Sequence, residues 1–176
     1  MAKQLSSQEI LKILETGEFI SLKGVVEDHC LECKGEPYPL RHTDKEKLSY
    51  YKQEFAKDVS SLANTPEGGL ILIGAQTERI DTHVGDEIAE LRPFPKTLID
   101  PKQYQDILEE WIYPSVLGVE VKWFTSPDNS EQGLAAIVIP PQLSTRQPFL
   151  LTRTRTEDGK KTELVFGYIE RRQAHW

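Results

Sequence analysis

Two cysteines, Cys30 and Cys33, are all that this 176-residue chain contains. So few thiols exclude the disulfide scaffold on which small secreted domains rely. No second Cys-x-x-Cys is present, and His29, His42, His83 and His175 do not fall in a ligand spacing with the first. The expectation is therefore no metal held by cysteine and histidine, with the two thiols acting as small hydrophobes in an extended segment. No run of about eighteen apolar residues occurs, which excludes a helical membrane span. Residues 1–19, MAKQLSSQEILKILETGEF, are polar and helical in pattern and lack the apolar core of a signal peptide. A soluble cytoplasmic protein with no membrane partner is expected. Internal repeats, low-complexity tracts and linkers are also lacking, and the length suits one domain with a sizeable core. Serine, histidine and aspartate occur, but in no nucleophile-elbow setting, so no hydrolase triad is read.

Positive charge is scarce overall. The formal net charge is −7. Its distribution is uneven: residues 146–176 hold seven Lys/Arg against four acids, a local +3, and the other 145 residues carry 14 bases and 24 acids, or −10. A basic face on an acidic body can still engage phosphates, because the field near the patch governs contact.

What is present reads as a mixture of helices and strands. Ser6 and Glu9 form a capping-box pattern, Ile10, Leu11, Ile13 and Leu14 follow helical spacing, and Gly17 stops the helix. Residues 25–34 are extended in character, and 35–43 form a proline-bearing loop. A long helix starts at Asp44, with Leu48, Tyr51, Phe55, Val59, Leu62 and Ala63 at three- and four-residue steps. Strand 69–75 is nearly all apolar, as a strand buried on both faces requires. In residues 76–99, Pro93 and Pro95 argue against a regular helix. Asp100-Pro101 opens another helix that Pro114 ends, with Trp111 on its apolar face. Strands at about 117–124 and 133–139 follow, then a hairpin of 149–156 and 162–170 around a Glu157-Asp158-Gly159-Lys160 turn. Strict strand–helix alternation is absent. The expected fold is α+β: a single domain, 1–176, with a mixed β-sheet packed by two or three helices and a C-terminal β-hairpin.

The segment Leu62-Ala63-Asn64-Thr65-Pro66-Glu67-Gly68-Gly69-Leu70-Ile71-Leu72-Ile73-Gly74 runs helix, glycine turn, strand. A phosphate-cradling loop needs the reverse order, so Gly68 and Gly69 are a turn signal rather than a nucleotide signal. Upstream lies Glu27-Asp28-His29-Cys30-Leu31-Glu32-Cys33-Lys34. With this segment and LANTPEGGLILIG, the chain resembles the Schlafen-type AlbA-like domain over roughly residues 18–176. Ile112-Tyr113-Pro114, Ile139-Pro140, Gln147-Pro148-Phe149 and Tyr168-x-x-Arg171 are similar to its later landmarks. The resemblance implies a nucleic-acid-binding module, and Lys34 and Asn64 fall on family motif positions. Some family members are metal-dependent ribonucleases whose acids match Glu27 and Glu32, with a third acid after the Ile-Gly strand. That third position falls at Gln76-Thr77, where this chain has no carboxylate, and Glu78 and Asp81 are only neighbours.

Three site expectations follow. Phosphate-backbone contact is assigned to Lys34, Arg153, Arg155, Lys160, Lys161, Arg171 and Arg172, with Arg153 and Arg155 sharing one face of a strand by period-two alternation. Glu27 and Glu32 are the catalytic candidates of the nuclease alternative, the sole case in which Mg²⁺ or Mn²⁺ would be a cofactor. The competing reading pairs Glu32 with Lys34 and leaves Glu27 solvated. Asn64, Gly68 and Gly69 are structural. Nucleic acid is the expected partner, with a homodimer, a separate effector chain, or a regulatory role without nucleic acid as the other openings.

Overall fold

The computed structural model describes residues 3–80, 85–155, 162–163, 167–169 and 171, with 154–155 and 162–163 described by backbone. Helix α1 (Ser7–Thr16) begins at the Ser6–Glu9 capping box and ends at Gly17 in the left-handed conformation. Strand β1 (Leu31–Lys34) precedes the long helix α2 (Lys45–Ala63), whose N-cap Asp44 accepts from the Glu46 and Lys47 amides. The apolar strand β2 (Gly69–Ile73) leads into a hairpin of β3 (Ala75–Arg79) and β4 (Asp86–Leu91), followed by the short β5 (Phe94–Pro95). Helix α3 (Pro101–Trp111), capped by Asp100, gives way to β6 (Ile112–Tyr113). Strands β7 (Glu120–Thr125), β8 (Gln132–Ile139), β9 (Leu150–Leu151), β10 (Thr154–Arg155), β11 (Thr162–Glu163) and β12 (Gly167–Tyr168) complete the order. No helix among the described residues is long and apolar enough to cross a membrane.

The central sheet is mixed. β1 runs parallel to β2, whereas β8 is antiparallel to β2 on one side and to β7 on the other. Alternation along β2 and β8 sends Ile71, Ile73, Ala135, Ile137 and Ile139 into a core beneath α2 and α3. Leu70, Leu72, Leu134 and Ala136 enter a second core beneath α1. Covering both faces explains why Gly69–Ile73 is buried throughout and why no polar residue interrupts it. The architecture is α+β, with three helices around a mixed sheet.

Several details differ from the sequence expectation. Helix α3 stops at Trp111 rather than at Pro114, because Ile112 and Tyr113 pair with Leu151 and Leu150. β3 and β4 pair antiparallel, with a register shift at Gln76/Thr77, in a stretch where the sequence argued only against a regular helix. Cys30 lies before β1 and is half-buried, while Cys33 within β1 is buried. The basic hairpin is two strand pairs in series. β9 pairs with β12, and further out Thr154 and Arg155 pair with Glu163 and Thr162.

Candidate functional site

The local chain around Glu27 and Glu32 is set by a turn. Asp28 accepts from the Cys30 amide at 2.8 Å, and the Leu31 amide donates to the Asp28 carbonyl, so the backbone folds back before β1 begins. This turn brings Glu27 alongside β1, where its Oε1 accepts from the Cys33 amide at 2.5 Å. Five residues of continuous strand would have put Glu27 and Glu32 on opposite faces; the turn removes that constraint. The expectation that Glu27 is solvated is overturned. Burial pushes its carboxyl up to about 7, opposed by the Cys33 amide and reinforced by the charge of Glu32.

Glu32 and Lys34 lie two residues apart on one face of β1, and Lys34 Nζ meets Glu32 Oε1 at 2.8 Å. The ammonium also meets Asp58 Oδ2 at 2.9 Å, and that oxygen accepts from the buried Tyr38 hydroxyl at 2.7 Å. Burial alone would lower the Lys34 pKa, but Asp58 and Glu32 outweigh it and hold the group above its ordinary range. The Tyr38 ring adds a cation–π contact at 5.7 Å. On the other side, Arg171 Nη1 donates to Glu32 Oε2 at 2.9 Å, and Nη2 donates to the Asp28 and Leu31 carbonyls at 3.1 and 3.2 Å. The result is a continuous chain, Tyr38–Asp58–Lys34–Glu32–Arg171, that ties α2, β1 and the C-terminal segment together.

Asn64 makes a second tie. Its Nδ2 donates to the Phe149 and Ile169 carbonyls at 3.0 Å each, and its Oδ1 accepts from the Phe149 amide at 2.8 Å. An amide side chain that satisfies three backbone groups on the two segments flanking β9 and β12 does more than shape its own turn. Arg153 makes a third tie. Its Nη1 is 2.7 Å from Glu110 Oε1, and its guanidinium sits over the Trp111 ring at 5.9 Å. The feet of the basic hairpin, Arg153 and Arg171, are thus both held against the body by carboxylates.

Of the seven residues assigned to phosphate contact, Lys34 and Arg171 therefore sit inside the ion network and Arg153 sits on α3. The strand position of Arg155 is described, but its side chain is not. Lys160, Lys161 and Arg172 lie outside the described residues. Asp58 is the participant that sequence reading missed. Its signal was visible: it lies three residues after Phe55 and four before Leu62, an acid on the apolar stripe of α2.

The acids do not suit a hard divalent cation as they are arranged. Both Glu32 oxygens hold cationic side chains, and Glu27 Oε1 is taken by the Cys33 amide. At the third position Gln76 is occupied by Arg92, whose Nη1 donates to Gln76 Oε1 at 3.1 Å. Glu78 is exposed on β3, and Asp81 lies outside the described residues. Hard cations need several free anionic oxygens, and this cluster offers them already paired.

The raised Glu27 carboxyl has a pH consequence. Its folded value near 7 lies above an unfolded value near 4.5, so the folded state holds the proton more tightly. Glu27 therefore contributes its full stability below about pH 4.5, and that contribution is lost as pH rises through 7. Glu27→Gln, which keeps the acceptor for the Cys33 amide, should raise Tm at pH 8. Thermal melts should show the advantage over wild type shrinking toward pH 5. An advantage that does not change with pH would refute the assignment.

No protein-family model and no curated protein matches the chain. Among solved structures it is similar to the N-terminal domain of a Nitrosomonas europaea protein described as related to the DNA helicase RecG. That likeness has 18% identity, a TM-score of 0.45, and coverage of 94% of this chain and 90% of that domain. It is also similar to a protein from Corynebacterium diphtheriae at 16% identity and a TM-score of 0.40. That match covers 89% of this chain and 27% of the other. At these values the likenesses carry no argument about function.

Proposed function

We propose that this chain is a nucleic-acid-binding module of Schlafen AlbA-like type that grips the phosphate backbone with its C-terminal basic ribbon. The observation that carries the reading is the concentration of charge in residues 146–176, +3 on a chain of −7. The antiparallel pairing of 154–155 with 162–163 supports it, since Arg155 lies on a two-stranded ribbon. Arg153, Arg171 and Asn64 fix the base of the ribbon, which limits the conformational freedom lost on binding. In this reading Arg155, Lys160, Lys161 and Arg172 meet phosphates, whereas Arg153, Arg171 and Lys34 position the ribbon. Binding of this kind is insensitive to sequence, because phosphates carry no base information. The acidic remainder of the chain suits a module that works beside another subunit, either a second copy or an effector chain. A metal cofactor has no part in this reading.

The test is a fluorescence-anisotropy titration at low salt with labelled duplex DNA and hairpin RNA of unrelated sequences. Lys160→Glu combined with Lys161→Glu should weaken binding at least tenfold on every sequence, with Tm unchanged. Equal affinity of the double variant and wild type would remove the ribbon from the interface.

A further inference from the structure

A groove of about 440 Å³ lies between residues 35–41 and the segment around Arg92–Leu98. That volume falls within the ~300–1,000 Å³ typical of small-molecule sites. Its walls are stiff. Pro37, Pro39 and Pro93 restrict the two flanking segments, the Tyr38 hydroxyl is anchored on Asp58, and Gln103 Nε2 donates to the Leu40 carbonyl at 2.7 Å. The lining is chiefly apolar, from these prolines with Tyr38, Phe94 and Leu98.

Two arginines, Arg41 and Arg92, belong to this lining. Arg41 is 62% exposed, and its nearest carboxylate, Asp100, stands at 3.9 Å, so the pair is loose and exchangeable. Arg92 is steadied by Glu90, which its Nε and Nη2 meet at 2.9 and 2.8 Å, and by Gln76, which accepts from Nη1 at 3.1 Å, so a phosphate would share the outer N–H groups of the fork. Glu36, also in the lining, is exposed and adds its negative charge to those of Asp100 and Glu90. Planar guanidinium forks match the oxygens of a phosphate monoester, and the apolar walls suit a flat ring.

We propose that this groove binds a nucleoside monophosphate, either free or as the phosphorylated end of a nucleic-acid strand. The phosphate sits with Arg41 and Arg92, and the base lies along the proline-lined wall. None of the described ribbon residues lines the groove, and neither does the glycine turn at 68–69. It connects to the ion network through Tyr38, which forms part of the groove and caps Asp58.

Calorimetry with 5′-AMP tests this on the full chain, with adenosine and inorganic phosphate as separate titrants. AMP should bind with a submillimolar Kd, at least tenfold more tightly than either fragment. Arg41→Gln should weaken AMP at least fivefold with an unchanged Tm, and Lys160→Glu should leave it unaltered. Competition by a 5′-phosphorylated pentanucleotide, but not by its unphosphorylated form, would identify a strand end as the source. AMP binding without such competition would identify the free nucleotide. No heat at millimolar AMP, binding of adenosine as tight as AMP, or indifference to Arg41→Gln would each overturn the proposal. A failed ribbon titration beside positive AMP binding would reject the ribbon alone.

Discussion

Gly68→Ala should destabilise the protein by about 3–5 kcal/mol, near the upper end for a single substitution. Gly68 has φ +69°, and left-handed geometry costs an L-residue ~1–2 kcal/mol. The larger contribution is collision. A Cβ at this position would stand 2.2 Å from the Ile139 carbonyl oxygen and 2.7 Å from the Pro140 carbonyl carbon. Both are backbone atoms at the end of β8, which pairs with β2 from Gly69 onward, so relief requires the two central strands to part. Gly17→Ala is the matched control. Its φ is +76°, yet an added Cβ meets only Pro127, at 3.7 Å, so it should lose about 1 kcal/mol from backbone strain alone. Chemical denaturation should therefore separate the two by roughly 2 kcal/mol or more. Equal losses would mean that the close approach of the turn to β8 is not a constraint.

Lys34→Ala should be of similar size, about 3–5 kcal/mol, because it leaves Asp58 and Glu32 facing each other without their shared cation. The Asp58 side chain is only 7% exposed, so its charge is poorly solvated once the ammonium is removed. The partners on either side keep the acids close. Tyr38 holds Asp58 from below, and Arg171 holds Glu32 from the opposite side. Adding Asp58→Asn to Lys34→Ala should recover part of the loss, since an amide accepts the Tyr38 hydrogen bond without an unpaired buried charge. Thermal melts of the two single variants and the double variant give the coupling, expected at about 1–3 kcal/mol. If Lys34→Ala instead left stability intact and abolished nucleic-acid binding, Lys34 would be a phosphate contact and its structural assignment would be wrong.

These two residues also illustrate how much of the molecule its sequence discloses. Gly68 was legible as a turn because a helical pattern runs into Asn-Thr-Pro-Glu-Gly-Gly and an apolar strand leaves it. The Glu32–Lys34 pair was legible from period-two alternation on one strand face. Both are short-range facts. The Asp58–Lys34 contact spans 24 positions, and Arg171–Glu32 spans 139, so no local spacing encodes either. Arg171 was assigned by composition to a basic ribbon. The structure gives it a carboxylate and two carbonyls instead, since a half-buried guanidinium needs acceptors. Glu27 was read as solvated because the turn at Asp28–Cys30 was not recognised, and without that turn the residue projects away from Cys33. The β3–β4 hairpin escaped notice because Gln76, Glu78, Arg79, Asp86, Glu87 and Glu90 mask the weak apolar signal of Ile88.

The measurement that bears most directly on the central claim is the salt dependence of nucleic-acid affinity. Each phosphate neutralised on duplex DNA releases counterions and contributes a slope of about −0.9 to log K against log salt. If Arg155, Lys160, Lys161 and Arg172 each take one phosphate, the wild-type slope should approach about −3.6 by that relation. Lys160→Glu with Lys161→Glu should flatten it by roughly half, and Arg153→Gln should change the slope little while weakening the attachment of the ribbon to α3. Absence of binding at low salt, or affinity that does not vary with salt, would contradict the account.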